Sequence, residues 1–424
     1  MNLTIYKKVK DLKYGQNPHQ TGAEIGVRIE VEVPPELMDK DPSDAALREF
    51  YNILKSYNES EVEFPVKIVN GNPGTINFME IFRMWKLVKE MDQTFDMPSS
   101  AVSKHKVAAG AALGMPMDNI MKRAYCCEDM ELSSLATAAI RANNTDPKSA
   151  YGGTQAFSRK VDVQTAEALK PYVLDVIVAH DYEPEALEIL RKKKGGKIVI
   201  AKFDPNYVPP QTVTVVEDDF VFRYNRNDYK VTDSLLEDVI GGSLTDEEKR
   251  DLKLGAIISK YTKSNKTVYT LDGQSTGIMP CQQSRVDSMK WAGDKSIMWL
   301  FRQTPVASDL KLEGKLYEKF QQQRTAIENM LDTRTGTDEK SRTEKIRELI
   351  CDALEQRGLG YFRSTTCGFL PFEDCIDEAR KRGVNVISYP KAPGKGIRFD
   401  DIVKKANELN VKLVLFPYRL FEET

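Results

Sequence analysis

VLDVIVAH (173–180) and KIVIAKF (197–203) decide the fold class. Each is an apolar run of strand length, and the residues between them carry helical spacing. Pro184 stands near the first turn of that helix, three lysines close it, and Gly195 lies beyond. Strand, helix, strand in this order reads as a crossover unit of a layered α/β domain.

Toward the N-terminus, PVKIVNG (65–71) reads as another buried strand that ends in a turn. Asn77 is expected to open a helix, and Asn77 with Glu80 fits a capping-box-like start. Phe78, Ile81, Phe82, Trp85 and Val88 form one face of it, with Arg83, Lys86 and Lys89 on the other. SSAVSKH (99–105) reads as a strand that gives way to a helix at Lys104-His105, and the small-residue segment VAAGAALG follows.

Toward the C-terminus, residues 246–260 and 282–302 read as helices. Asp272-Gly273 between two β-rich runs signals a hairpin. Residues 308–358 are rich in Lys, Glu, Gln and Arg and read as a helical insertion. The end alternates: helix 373–382, strand 384–389, helix 399–409, strand 411–417. The Pro-rich stretch PNYVPPQ (205–211) is the preferred boundary. The expected architecture is α/β: a first lobe over 1–208, a second over 209–307 and 359–424, and the helical insertion 308–358.

Lys and Arg number 61 against 63 Asp and Glu, for a net charge of -2. That balance gives no general attraction to nucleic acid or an anionic membrane, so an anionic ligand must be met by a local basic cluster. The six cysteines include no C-x-x-C pair, which argues against a disulfide framework or structural zinc and for a reducing compartment. The start lacks a signal-peptide apolar region, and there is no membrane-spanning run. A soluble cytoplasmic protein is expected. A mechanism that uses histidine has only His19, His105 and His180 to draw on.

Chemistry has few places to sit: Lys104-His105, DPKSAYGG (146–153), KYTKSN (260–265), CQQSR (281–285), KYGQNPHQ (13–20) and GFLPFED (368–374). A lysine supplies a fixed charge or a proton, and a histidine works as a base near neutral pH. Taken alone, a Lys-His dipeptide is more often a surface lysine beside a packed histidine, and a Gly-rich loop more often a tight turn. The phosphate-loop spacing and the G-x-G-x-x-G fingerprint are absent. So is the H-x-E…P-C-x-x-C signature of zinc deaminases.

Together these blocks resemble one family. KYG (13–15), NGNPGTIN, SKH, SAYGG, EALEILRKKK, KYTKSN, QQSR, AGDK, FLPF and RLF follow the order of 5-aminoimidazole-4-carboxamide ribonucleotide (AICAR) formyltransferase, the formyltransferase half of a bifunctional purine-biosynthesis protein. The resemblance covers nearly the whole chain. The cyclohydrolase domain of the bifunctional form has no counterpart here, so another chain is expected to perform that step.

The resemblance implies two cytidine-deaminase-like three-layer lobes without zinc, and a homodimer with shared active sites. It implies formyl transfer from 10-formyltetrahydrofolate to the AICAR 5-amino group. By motif match, His105 takes the role of the histidine that assists deprotonation of the amine. Lys104 matches the lysine that stabilises the transition state and can protonate folate N10, and Asn265 the asparagine near the formyl group. Asn77, Gly152, Asp175, Arg285 and Phe369 match nucleotide contacts. Lys13, Tyr14 and Arg419 match the phosphate end, where two cations and a phenol suit a dianion. Asp374, Val286, Gly396 and Ile397 match the folate side.

The chain also departs from the family. Lys13 replaces an arginine and loses bidentate phosphate contact. Cys281 replaces a glycine, Cys367 an aspartate, and Glu422-Glu423 a His-His pair. Lys266 replaces a serine. That serine and the aspartate contribute to a potassium site in the family, so the Lys266 ammonium is expected to take the ion's place. These departures keep a second reading in view, a re-specialised or non-catalytic paralogue that retains the nucleotide pocket.

Overall fold

The computed structural model describes residues 2–12, 23–38, 44–59, 64–217, 220–335, 339–392, 396 and 398–420. A terminal hairpin comes first, β1 (Asn2–Asp11) with β2 (Glu24–Glu32). The strands β3 (Val66–Asn70), β4 (Ser99–Lys104), β5 (Val107–Leu113), β6 (Gly153–Phe157), β7 (Leu174–Ala179) and β8 (Val199–Phe203) follow. A second hairpin joins β9 (Thr212–Glu217) to β10 (Phe220–Asn225). The chain continues through β11 (Val239–Ile240), β12 (Thr267–Leu271), β13 (Gln274–Met279), β14 (Phe362–Thr366), β15 (Val384–Pro390) and β16 (Lys412–Phe416).

Twelve of these strands make one mixed sheet in the order β11-β16-β15-β14-β12-β13-β5-β4-β6-β7-β8-β3. The order is the same fold written twice. From the centre outward, each half places its third strand, then its second, fourth, fifth, sixth and first. The directions repeat as well: each half has an antiparallel hairpin, a parallel triplet and an antiparallel edge strand. The halves meet where β13 runs antiparallel to β5, with Gln274 opposite Ala112.

The crossover read from VLDVIVAH and KIVIAKF is present. β7 and β8 pair in parallel around helix Pro184–Arg191, whose first residue is the proline. Asp272-Gly273 turns between β12 and β13 with both residues in the left-handed region. Helices Leu316–Thr335 and Glu339–Gln356 occupy much of 308–358. Among the described residues, no helix is long and apolar enough to cross a membrane.

Helix Thr75–Phe95 covers the first half of the sheet and buries Phe78, Ile81, Met84, Trp85, Leu87 and Val88. Burial of each such side chain stabilises by about 1.5–3 kcal/mol. The helix also buries two carboxylates, Glu80 and Glu90, where a solvent face would be expected.

Two expectations are corrected. The helix starts at Thr75, not at Asn77; Gly74 is its N-cap and the Asn77 Oδ1 reaches back to accept from Gly74 N at 3.0 Å. A third-position side chain that returns to the cap satisfies an otherwise orphaned donor. The chain after Lys104-His105 forms β5, not a helix, because Lys104 pairs with Val107 across a two-residue turn. The small residues that hid this strand serve close packing. A Cβ on Gly110 would fall 2.0 Å from Ala142 O in the overlying helix.

Strand directions gather several ends on one edge of the sheet. The end of β4 and the starts of β6 and β7 lie there, with the start of β12 and the ends of β14, β15 and β16.

Candidate functional site

Lys104 closes β4 on that edge, and its Nζ donates to Gly152 O at 2.8 Å. Gly152 has φ +68, and a Cβ there would sit 3.0 Å from Lys104 Nζ and 3.9 Å from both Asp175 carboxylate oxygens. Lys104, Gly152 and Asp175 therefore converge. Asp175 Oδ1 pairs with Lys194 Nζ at 2.7 Å. The sequence reading had given Lys194 only a helix-terminating role.

His105 is exposed and sits at φ +52, followed by Lys106 at φ +69. Two non-glycine residues in the left-handed region strain the backbone by about 1–3 kcal/mol each and persist only where the surroundings hold them. Glu80 is one holder: its Oε1 accepts from Lys106 N at 3.1 Å and its Oε2 from Thr154 Oγ1 at 2.5 Å. Burial pushes the Glu80 carboxyl above its ordinary range, against the pull of Thr154, Lys106, His105 and Lys104. Asn77 lies on the first turn of the same helix, with its side chain on the cap.

A second cluster sits further along the edge. Arg285 opens helix Arg285–Phe301; its Nη2 donates to Asn265 Oδ1 at 3.1 Å and its Nη1 to Thr366 Oγ1 at 2.6 Å. The same Nη1 lies 3.2 Å from Cys367 Sγ. Asn265 Nδ2 donates to Gln283 O at 3.0 Å. The Arg419 guanidinium lies 5.8 Å from the Phe369 ring centre. Between these groups passes Gly368, where a Cβ would stand 2.5 Å from Arg285 Nη2. The structure thus brings Asn265, Arg285, Phe369 and Arg419 together.

Cys367 is buried beside Ser264 Oγ at 3.1 Å. Burial alone would push its thiol up, but the Arg285 and Lys266 cations and the hydrogen bonds from Ser264 and Arg285 hold it below its ordinary value. Lys266 is wholly buried and its ammonium donates to Thr262 O.

Beyond Phe369 opens a cavity of about 730 Å³ lined by Phe372, Tyr389, Phe399 and Ile402. It lies outside the carboxyl ends of the parallel triplet, the usual ligand position in such sheets. Its rim carries the ion pairs Lys391–Asp238 at 2.5 Å and Arg398–Glu373 at 2.9 Å. Gly396 lines the cavity, whereas Val286 packs on the core of the second half and Asp374 opens helix Asp374–Lys381. Lys13, Tyr14 and Ile397 fall outside the described residues.

Residues 41–295, which hold both clusters' central side chains, match the family model described as the AICARFT/IMPCHase bienzyme. The chain belongs to this family. Its relatives include the bifunctional purine biosynthesis protein PurH of Clostridium perfringens (strain SM101 / Type A), 26% identical over 424 residues, which cover 98% of this chain and 59% of that protein. PurH of Clostridium botulinum (strain 657 / Type Ba4) is 26% identical over 420 residues, covering 98% and 60%. The chain therefore spans about three-fifths of the length of these curated relatives.

Proposed function

We propose that the protein transfers a formyl group from 10-formyltetrahydrofolate to the 5-amino group of AICAR, in the cytoplasm, and releases tetrahydrofolate. The observation that carries this reading is the convergence of Lys104, Gly152 and Asp175 beside His105, in a chain of this family.

The AICAR amine is a weak nucleophile because its lone pair is delocalised into the ring and carboxamide. His105 takes a proton from it as nitrogen attacks the formyl carbon. The new C–N bond forms while the bond from the formyl carbon to folate N10 breaks, and Lys104 delivers a proton to N10. General acid–base help of this kind contributes about 10²–10⁴-fold, and fixed geometry supplies much of the rest. Asn265 offers an amide N–H to the developing oxyanion. Asp175, Gly152, Asn77, Arg285 and Phe369 hold the nucleotide, with Lys13, Tyr14 and Arg419 at its phosphate. The cavity beside Gly396 takes the folate, whose other contacts are Val286, Asp374 and Ile397.

Each half of the sheet is read as a cytidine-deaminase-like lobe, which the repeated strand order supports. Two copies assemble with shared active sites. The residues at Cys367 do not suit a potassium ion: a buried ammonium and a guanidinium already face the thiol. Lys266 stands in for the cation.

The test is an assay of the purified chain with AICAR and 10-formyltetrahydrofolate, followed by tetrahydrofolate release. Release that depends on both substrates supports the reading. AICAR binding without release would instead favour the re-specialised paralogue. Activity should be indifferent to the removal of potassium; a potassium requirement, or an ion bound beside Lys266, would overturn that part alone.

A further inference from the structure

The two halves of the sheet close their central hairpins in the same way. In the second half, Asp251 of helix Asp246–Lys260 accepts from both turn amides, Asp272 N at 3.0 Å and Gly273 N at 2.8 Å. Its carboxylate also lies 3.8 Å from the guanidinium of Arg363, the second residue of β14. In the first half, Glu80 occupies the matching helix and accepts from the matching turn at Lys106 N. Its second partner is Thr154, the second residue of β6. Even the register shifts agree, Gly153/Thr154 in one half and Phe362/Arg363 in the other.

The copies differ in what the clamp holds. Asp-Gly suits a turn with both residues at positive φ. His105-Lys106 does not, so the first-half turn depends more on its carboxylate than the second-half turn does. The facing partner differs too. Asp251 has a cation in Arg363, whereas Thr154 is neutral and leaves the Glu80 charge in the field of Lys104, His105 and Lys106.

We propose that Glu80 is a positioning residue: its carboxylate clamps the left-handed His105-Lys106 turn to β6, and so fixes the imidazole relative to Lys104 and Gly152. This rests on the formyl-transfer reading for what His105 does, though not for where it stands. Glu80 touches no substrate; it acts through the turn.

Three variants of the full chain test the clamp. Glu80→Ala removes it, Thr154→Val removes one of its two bonds, and Glu80→Gln keeps an acceptor for Lys106 N. Glu80→Ala should lower kcat by about 10²-fold, the scale of a misplaced catalytic group, with both KM values nearly unchanged. Thr154→Val should lose less, and Glu80→Gln should recover most of the rate. Histidine NMR gives an independent view, since the chain has only three. In Glu80→Ala the His105 ring signal should collapse toward its free-peptide position while that of His180 stays. A wild-type kcat together with an unmoved His105 signal would overturn the proposal. If Glu80→Ala fails to fold, the same two readings on Thr154→Val decide. If the wild-type chain transfers no formyl group, the functional reading fails, and the His105 signal alone judges the clamp.

Discussion

Lys260 Nζ stands 3.0 Å from Glu90 Oε2, and this buried ion pair ties the helix over one half of the sheet to the helix over the other. Tyr261 OH donates to the same oxygen at 2.6 Å, and Lys260 also reaches Tyr229 O at 3.0 Å. Removal of one partner leaves the other charge buried without its counter-ion. Lys260→Met is expected to destabilise the chain by about 3–5 kcal/mol, read from the urea midpoint. Adding Glu90→Gln should restore part of that loss, and a strictly additive double variant would show that the two groups do not couple.

Lys104 and His105 are tested best with side chains that respect the backbone. Asparagine tolerates positive φ, so His105→Asn isolates the loss of the imidazole. His105→Asn and Lys104→Met are each expected to lower formyl transfer by about 10²–10⁴-fold. Both sites are at least partly exposed, so the thermal midpoint should hardly move. Near-full activity in either variant would remove that residue from the mechanism.

The second-half turn suggests a graft. Replacement of His105-Lys106 by Asp-Gly installs the pair that Asp272-Gly273 already uses. Glycine at 106 relieves one left-handed non-glycine residue, and aspartate tolerates that region better than histidine at 105, so stability should rise by about 1–2 kcal/mol while transfer is abolished. Calorimetry beside the transfer assay checks both. A graft that melts earlier than the parent would show that the turn is not strained.

Acid stability should depend on Asp146. Its carboxyl is pushed up by burial, yet Lys295 at 2.9 Å and hydrogen bonds from Ser149 outweigh this and hold it below its ordinary value of 3.8. A depressed acid stabilises the fold fully above its unfolded value and loses that contribution as pH falls through the folded one. The thermal midpoint should therefore fall below about pH 4, and more gently in Asp146→Asn, than in the parent. Parallel curves for the two proteins would exclude Asp146 as the cause.

Local chemistry made much of this fold legible. Asp272-Gly273 announced its hairpin because the turn type needs those residues, and Pro184 announced a helix start because its missing donor costs nothing there. The β4–β5 hairpin stayed hidden: His-Lys is not turn-like, and VAAGAAL lacks the branched residues that mark strands. Its strand character comes from contacts far along the chain, Gln274 against Ala112 and Ala142 against Gly110. The hairpins β1–β2 and β9–β10 were likewise not read. Of the candidate residues that the ordered motifs point to, Lys104, Gly152 and Asp175 lie together in one cluster and Asn265, Arg285, Phe369 and Arg419 in another. Glu80 escaped notice because an acid on an amphipathic helix looks solvated, and only the turn behind it shows otherwise.

The repeated strand order is what duplication and fusion of a single six-stranded unit leave behind, and it bears on how chemistry could enter such a protein. A scaffold carried in two copies contains a spare. One hairpin keeps the easy Asp-Gly corner and carries none of the candidate site residues. The other is free to accept an awkward His-Lys corner whose discomfort its twin never feels.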